Sequence, residues 1–303
     1  MSRKCEVVVV SKHTNPVNGV DNIFQTRIRE AIRDFKPDVM YVNGFVVAHY
    51  ALQVFDKVVY DFGSFIGRSN IMEQAKWNYN DMDGKSAQAL RDTAGNGYSA
   101  PFYAKEKEVI EKVSAIICWE GREASLLRKL YEPGDRLKEI SPIVHKTPKP
   151  IPFEKKERRV MAIAAKWGDR EKMAGILDSV EKDVAVFRVG NGGNGVQSLG
   201  HDELMGELNR SRVLFCPFTA GGIGTVCEGL KMGCNVVTYD WYPFNDYVND
   251  EMVIGSSGRV VSRAVGVIGK AMETSYPPKK KLPEPEEQVD KILDVCKQVS
   301  LEK

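Results

Sequence analysis

The sequence has no excess of charge of either sign and no long hydrophobic run. Its 303 residues contain 43 Lys and Arg against 41 Asp and Glu, so the net charge is only +2. This balance excludes proteins that bind nucleic acid through overall charge alone. The first apolar run, residues 7–10, is too short for a signal peptide or a membrane span. We therefore expect a cytoplasmic protein without a transmembrane segment.

Cysteine pairs and histidine clusters are missing as well. The six cysteines form no Cys-x-x-Cys pair, and none has a histidine at the spacing of a zinc site. We expect them to be small buried residues in a reducing compartment. Each of the four histidines is expected to be a surface or hydrogen-bonded residue rather than a catalyst. They are His13, His49, His145 and His201.

What is present is an ordinary globular composition, with 43% hydrophobic and 28% charged residues. Short β-branched runs alternate with segments of helical period, which predicts parallel sheets with crossover helices. The expected fold class is α/β, with two doubly wound, Rossmann-like domains. The strands are predicted at 6–10, 39–42, 58–61, 115–119 and 137–140, and then at 160–164, 184–189, 213–216, 235–239 and 252–254.

Two proline-rich segments divide the chain. The first, residues 145–153, contains three prolines that force an extended backbone, and it is the predicted linker. The predicted domains are therefore residues 1–148 and 149–283. The second proline-rich segment, 276–285, precedes an amphipathic helix within 284–303 that we expect to pack on the first domain.

A Gly-x-Gly-x-x-Gly string runs from Gly190 to Gly195, directly after a predicted strand. In a dinucleotide-binding domain such a string opens a helix, so that the pyrophosphate meets free backbone amides. Here residues 196–200 intervene before the next predicted helix at 202–209, and the strand is not the first of its domain. An NAD(P)-dependent oxidoreductase is therefore an alternative, beside a flexible glycine loop.

A second glycine-rich turn follows the predicted strand at 213–216. Its glycines let the backbone approach a ligand closely, and Thr225 is expected to cap the helix that begins there. Free amides at the helix start, together with the helix dipole, then form an anion site. The residues expected to bind the ligand are Gly221, Gly222, Ile223, Gly224 and Thr225.

Glu228 lies one turn into the same helix, on the face of Gly224 and Thr225. Its carboxylate can accept hydrogen bonds from vicinal hydroxyls such as those of ribose. Because a carboxylate is repelled by phosphate, Glu228 is expected on the nucleoside side of a bound nucleotide. The alternative is a glycine-rich turn with a capped helix and a solvated glutamate.

The segment from residue 221 to 237 reads Gly-Gly-Ile-Gly-Thr-x-x-Glu-x-Leu-x-x-Gly-x-x-Val-Val. It resembles the nucleotide-sugar signature of GT-B fold glycosyltransferases, most closely the retaining Glu-x7-Glu type (glycosyltransferase group 1, or family 4). Further stretches are similar in order: Asn18-Gly19-Val20, residues 36–39, and residues 114–140. The resemblance implies two domains facing across a cleft, with the acceptor on the first and the nucleotide sugar on the second.

The resemblance also implies roles for residues outside this segment. In that family a basic pair after the first strand of the second domain holds the donor diphosphate, and here Lys166 with Lys172, or with Arg170, occupies that stretch. Two cations neutralise the leaving diphosphate without a metal, so no metal or cofactor is expected. On the alternative interpretation these cations line a solvated helix start. Gly19, beside Asn18, is expected at the reacting face.

The sequence departs from the family pattern at two places. If Glu228 is the second glutamate of the motif, the first falls at Ala220, and the family's histidine after the third strand is not evident. Asp61 lies in that region and is the expected acid/base group, with a helix-capping aspartate as the alternative. The expected catalytic residues are thus Asp61, Lys166 and Glu228. The chain is expected to be a hexosyltransferase-like enzyme or, because these positions are altered, a catalytically silent nucleotide-sugar-binding protein.

Other features leave the acceptor open. The Asp81-Met82-Asp83 string matches a metal-binding motif of the other glycosyltransferase fold, but no strand precedes it. Four aromatic residues in the region of the polar segment 63–101 either stack on a sugar or base or pack beneath a loop; they are Trp77, Tyr79, Tyr98 and Tyr103. A glycan, a lipid-linked sugar, a small molecule or a modified nucleic-acid base all fit as acceptor. Basic tracts such as 279–281 allow peripheral membrane contact.

Overall fold

The computed structural model describes most of the chain. The described residues are 20–62, 85–96, 100–118, 121–141, 147–164, 167–190, 199–217, 223–239, 246–255, 260–282 and 284–302. Their strands form two parallel sheets, one of four and one of five strands. This arrangement confirms the expected fold class, α/β with parallel sheets and crossover helices.

The first sheet contains β1 (Met40–Asn43), β2 (Val58–Asp61), β3 (Ala115–Cys118) and β4 (Leu137–Glu139). The helices of this region are α1 (Val20–Phe35), α2 (Phe45–Ala51), α3 (Ala87–Ala94), α4 (Ala100–Lys112) and α5 (Arg122–Tyr131). The strands are hydrogen-bonded in the order β1-β2-β3-β4. All four residues of β3 are buried, as expected of a parallel strand that is covered on both faces.

The second sheet contains β5 (Glu157–Ala164), β6 (Ala185–Gly190), β7 (Ser211–Cys216), β8 (Asn235–Tyr239) and β9 (Val253–Ile254). Its helices are α6 (Trp167–Val180), α7 (His201–Arg210), α8 (Ile223–Lys231) and α9 (Val260–Glu273), and the last helix of the chain is α10 (Pro285–Leu301). The strand order is β6-β5-β7-β8-β9. The chain therefore winds first to one side of β5 and then to the other.

Helices cover both faces of the second sheet. Gly229 of α8 lies against Val236, whereas the neighbouring Asn235 donates a hydrogen bond to the carbonyl of Ala271 in α9, at 2.6 Å. Adjacent residues of a strand point to opposite faces, so α8 and α9 lie on opposite sides of the sheet. Helix α7 packs with α8, and α6 packs with α9. The sheet is therefore doubly wound, as the sequence predicts.

The chain divides into two compact units. Among the described residues, the first unit comprises 20–62, 85–140 and 290–302, and the second comprises 141–289. Within the first unit, Val295 and Val299 of α10 pack in one apolar cluster with strand residues such as Val59 and Ile117. In the second, the side chain of Asn209 bonds to the backbone of residues 149 and 151, which anchors the proline-rich segment on α7.

The strand bounds agree closely with the predicted ones where apolar runs are fully buried. The strands at 58–61 and 235–239 have the expected bounds, while α4 begins at residue 100 rather than near 105. The predicted first strand, 6–10, lies outside the described residues. No described helix combines the length and the apolar composition that a membrane span requires.

Candidate functional site

The carboxyl ends of β5 and β7 form the topological switch point of the second sheet. The two strands are neighbours, with Ala162 opposite Phe215, and they end at Ala164 and Cys216. The chain leaves β5 toward α6 and leaves β7 toward α8, on opposite faces of the sheet. Such a point opens a crevice that binds ligands in doubly wound folds.

Both stretches that the sequence marks as diphosphate-binding leave the sheet at this point. Lys166 follows the end of β5 by two residues, and Gly221 and Gly222 precede the first residue of α8. These three residues, like Gly19, lie outside the described part of the chain, and so do the side chains of Arg170 and Lys172 in α6. The ends of β5 and β7 and the starts of α6 and α8 are described, and β5 and β7 are adjacent strands.

Helix α8 begins at Ile223, two residues earlier than the sequence predicts. Thr225 is therefore the third helical residue and not the N-cap, because a cap residue lies outside the helical backbone conformation. The amides of Ile223, Gly224 and Thr225 belong to the first turn, where the N–H groups have no acceptor within the helix. The first turn carries no acidic residue, so the positive end of the dipole is not neutralised there.

Two glycines of α8 serve different purposes. A Cβ added to Gly229 would overlap Leu214 and lie 3.3 Å from Val236, so this glycine is required for packing against the sheet. A Cβ added to Gly224 would meet no atom within 4 Å. Within the described residues, neither packing nor a left-handed backbone requires a glycine at position 224.

Glu228 is buried, with only 5% of its surface exposed. The alternative of a solvated glutamate is therefore wrong. A buried carboxylate is stable in a protein only where polar groups compensate its charge, so Glu228 is not a solvated surface residue of the helix. Burial raises the pKa of the adjacent Cys227 to about 12, which makes this thiol a packing residue rather than a nucleophile.

The base of the glycine-rich turn is held by a residue that sequence reasoning missed. The hydroxyl of Thr238 in β8 donates a 2.9 Å hydrogen bond to the carbonyl of Cys216, the last residue of β7. Thr238 is fully buried and pairs with Cys216 in the strand register. Only the register of the two strands brings these residues together, so no local sequence signal marks this contact.

Asp61 ends β2 in the first unit, at the carboxyl edge of its sheet. One carboxylate oxygen, Oδ2, accepts hydrogen bonds from the Tyr41 hydroxyl and from Nδ2 of Asn43, the latter at 3.2 Å. Burial above all, and then the charge of Asp61, raises the pKa of Tyr41, so its phenol remains a proton donor. The carboxylate is therefore held in a fixed orientation at the strand end.

The glycine string after β6 has different surroundings. Strand β6 lies at the edge of the sheet, and α7 begins only at His201. Asp202 and Glu203 lie in its first turn, and Glu203 accepts a 3.0 Å hydrogen bond from the amide of Gly200. A carboxylate of the protein already occupies the place that a pyrophosphate would take, which disfavours a dinucleotide site at this helix. Residues 191–195 lie outside the described ranges.

The remaining predicted groups have other roles or fall in the gaps. Tyr103 stacks on Tyr131 and its hydroxyl donates to the carbonyl of Leu130, so it is a packing residue. In the tract 279–281, Lys279 pairs with an aspartate and Lys280 lies 4.2 Å from the centre of an aromatic ring. Asp81 and Asp83 fall in a gap, as do Trp77, Tyr79 and Tyr98. Across the described residues, no group of three or more metal-ligating side chains is present.

Comparison with known proteins identifies the fold of the chain but not its family. No family model matches the chain, and no curated protein matches it. Sucrose-phosphate synthase from Thermosynechococcus elongatus has a similar structure, with a TM-score of 0.54 and 11% identity over 92% of this chain and 73% of that chain.

Two other solved structures are similar to the same extent. HepE from Anabaena, in complex with UDP and glucose, has a TM-score of 0.51 and 11% identity over 94% of this chain and 78% of that chain. UDP-GlcNAc 2-epimerase from Methanocaldococcus jannaschii has a TM-score of 0.51 and 12% identity, covering 94% and 84%. At this identity the likeness shows the fold alone: two Rossmann-like domains in one chain, of the GT-B type.

Proposed function

We propose that the chain is a glycosyltransferase that takes its sugar from a nucleotide-sugar donor. One observation carries the proposal: the two stretches suited to a diphosphate leave neighbouring strands at the switch point of a doubly wound sheet. The Anabaena protein, in complex with UDP and glucose, and the Methanocaldococcus UDP-GlcNAc 2-epimerase support a nucleotide-sugar ligand for this chain.

In this proposal the second unit binds the donor. The amides from Gly221 to Thr225 and the positive end of α8 bind the diphosphate, and Lys166 with Lys172 or Arg170 neutralises it. The buried carboxylate of Glu228 accepts hydrogen bonds from the ribose hydroxyls. Because the cations come from side chains, we propose that the reaction needs no metal.

The first unit binds the acceptor in this proposal. The bond between the sugar's anomeric carbon and the diphosphate oxygen breaks, the nucleoside diphosphate leaves with the electron pair, and the acceptor oxygen forms the new bond. Asp61, held by Tyr41 and Asn43, takes the acceptor's proton or orients its hydroxyl. Retention of configuration rests on the sequence resemblance alone.

Calorimetric titration with UDP, GDP, ADP and their sugar conjugates tests the proposal. We expect one nucleoside diphosphate to bind, and a Gly224→Val substitution to weaken it about 10-fold or more, because a side chain fills the open space beside the anion site. Gly206→Val in α7 is the matched control, since this helical glycine also has no atom within 4 Å of an added Cβ. It is expected to leave the affinity unchanged.

The same titration, followed by an assay for sugar release or transfer, separates the alternatives. Binding followed by sugar release or transfer supports the enzyme, whereas binding without turnover supports the silent binding protein that Ala220 suggests. A wild-type protein that binds none of the nucleotides, or a Gly224→Val variant that binds as tightly as wild type, contradicts the proposed site. Binding of NAD(P) in place of nucleoside diphosphates supports the oxidoreductase.

A further inference from the structure

The carboxyl ends of β1 and β2 place three polar side chains on one face of the first sheet. Tyr41 and Asn43 lie two residues apart in β1, and Asp61 pairs with Asn43 in the strand register. Because side chains alternate along a strand and register partners share a face, all three point to the same side. Val59 pairs with Tyr41 and packs with Val295, so this is the face that α10 covers.

Helix α10 covers the apolar part of this face and leaves residues at its carboxyl end exposed. Val59 is fully buried, whereas Tyr41 is 40% exposed and Asn43 is exposed as well. Tyr41 is one of four large hydrophobic side chains that are exposed among the described residues. Its hydroxyl already donates to Asp61, so the group that Tyr41 offers to a ligand is its ring.

The three side chains combine an aromatic ring with groups that bind hydroxyls. The Asn43 amide and the Asp61 carboxylate provide the donors and acceptors, and the ring of Tyr41 can stack on the C–H face of a sugar. Both donors to Oδ2 of Asp61 are neutral, so they do not compensate its negative charge. An acceptor with a phosphate at this position is therefore repelled.

We propose that the acceptor is a neutral carbohydrate bound by Tyr41, Asn43 and Asp61. The inference rests on the proposed function and deepens it by naming the class of acceptor. Along β1, Tyr41 and Asn43 are about 6.6 Å apart, and Asp61 is about 4.8 Å from Asn43 across the strands. One or two sugar rings therefore suffice to contact all three side chains.

In the transfer step the acceptor hydroxyl that bonds to Asp61 becomes the nucleophile. Its oxygen bonds to the anomeric carbon of the donor sugar while the bond from that carbon to the diphosphate breaks. The electron pair leaves with the nucleoside diphosphate, and the hydroxyl proton passes to Asp61. The ring of Tyr41 then contributes to acceptor binding, whereas its hydroxyl orients the base, so the two parts of the side chain affect different kinetic constants.

Steady-state transfer assays with two substitutions separate these contributions. The donor is the nucleotide sugar that wild type binds, and the acceptors are glucose, N-acetylglucosamine, maltose and lactose. Tyr41→Leu removes the ring and is expected to raise the acceptor KM about 3- to 10-fold without changing the donor KM. Tyr41→Phe keeps the ring and is expected to leave both KM values unchanged but to lower kcat about 3- to 10-fold, because Asp61 loses a hydrogen bond.

Tyr276→Leu is the matched control, since Tyr276 is a partly exposed tyrosine of the second unit. It is expected to leave kcat and both KM values unchanged. An equal acceptor KM in wild type and Tyr41→Leu overturns the inference. Transfer to phospholipid vesicles or RNA in place of the sugars, or donor hydrolysis without transfer to any of them, also overturns it and leaves the nucleotide-sugar donor standing. A wild-type protein that neither hydrolyses nor transfers from any nucleotide sugar overturns both proposals.

Discussion

Helices α7 and α8 follow parallel strands of the same sheet through glycine-containing connections, but their first turns are opposite in character. Helix α7 follows the edge strand β6 and has Asp202 and Glu203 in its first turn. Helix α8 follows the inner strand β7 and has no acid there. Its only carboxylate, Glu228, is buried in the second turn, at the place where α7 has Gly206.

The difference bears on which of the two helix starts is the better candidate for the proposed anion site. The glycine string after β6 matches the Gly-x-Gly-x-x-Gly motif of dinucleotide-binding domains. The helix that follows it, however, is already capped by the carboxylate of Glu203. Helix α8 has no acidic residue in its first turn, and it follows β7 at the switch point. Charge in the first turn and the position of the strand therefore carry more information than the number of glycines.

The largest effect is expected from a substitution that gives α8 an acidic first turn like that of α7. Thr225 is the third residue of its helix, as Glu203 is in α7. Thr225→Glu is expected to weaken nucleoside diphosphate binding about 100-fold, because two like charges near 4 Å repel strongly even at intermediate dielectric. The helix itself is stabilised by about 0.5 kcal/mol. Calorimetry and thermal unfolding measure the two effects.

Thr225→Gln is the control for size. A loss of affinity as large as that of the glutamate variant indicates that bulk and not charge is responsible. Unchanged binding in both variants contradicts an anion site at the start of α8.

The next change concerns the buried carboxylate. Glu228→Gln keeps the shape of the side chain but removes its charge, and a hydrogen bond to a charged group is worth about 1.5–3 kcal/mol. We expect nucleotide affinity to fall about 10-fold. Wild type is also expected to prefer the ribonucleotide over its 2′,3′-dideoxy analogue, and the variant is expected to lose that preference. Equal preference in both proteins contradicts the ribose contact.

The strands could be predicted where the local sequence determines them. The runs at 58–61 and 235–239 are β-branched or aromatic, fully or mostly buried, and bounded by polar residues. The amino ends of β5 and β7 could not be predicted, because they contain charged residues. Arg159 is buried in β5 because Glu207 and Ser211 compensate its charge, and these partners come from other elements.

The sequence alone suggests the residues of the proposed site, but it does not predict the contacts between strands around them. The turn before Glu228 could be found because glycines and a following helix form a local pattern. The bonds from Tyr41 to Asp61 and from Thr238 to Cys216 join different strands, and only the strand register brings them together. The start of α8 was placed too late because Gly224 is a weak helix former and Thr225 is a residue type that favours the N-cap position.

The smallest change tests whether charge alone separates the two helices. Glu203→Thr removes the carboxylate that caps α7. It also gives α7 a threonine as its third residue, as in α8. We expect a loss of about 0.5–1 kcal/mol of unfolding free energy, seen as a small drop in melting temperature, because the amide of Gly200 loses its acceptor. Glu203→Gln, which keeps an acceptor oxygen, is expected to lose less. Neither variant is expected to bind a second nucleotide, because β6 lies at the sheet edge and not at the switch point. A second binding event in calorimetry would show that the charge of the first turn, and not the position of the strand, decides where a nucleotide binds.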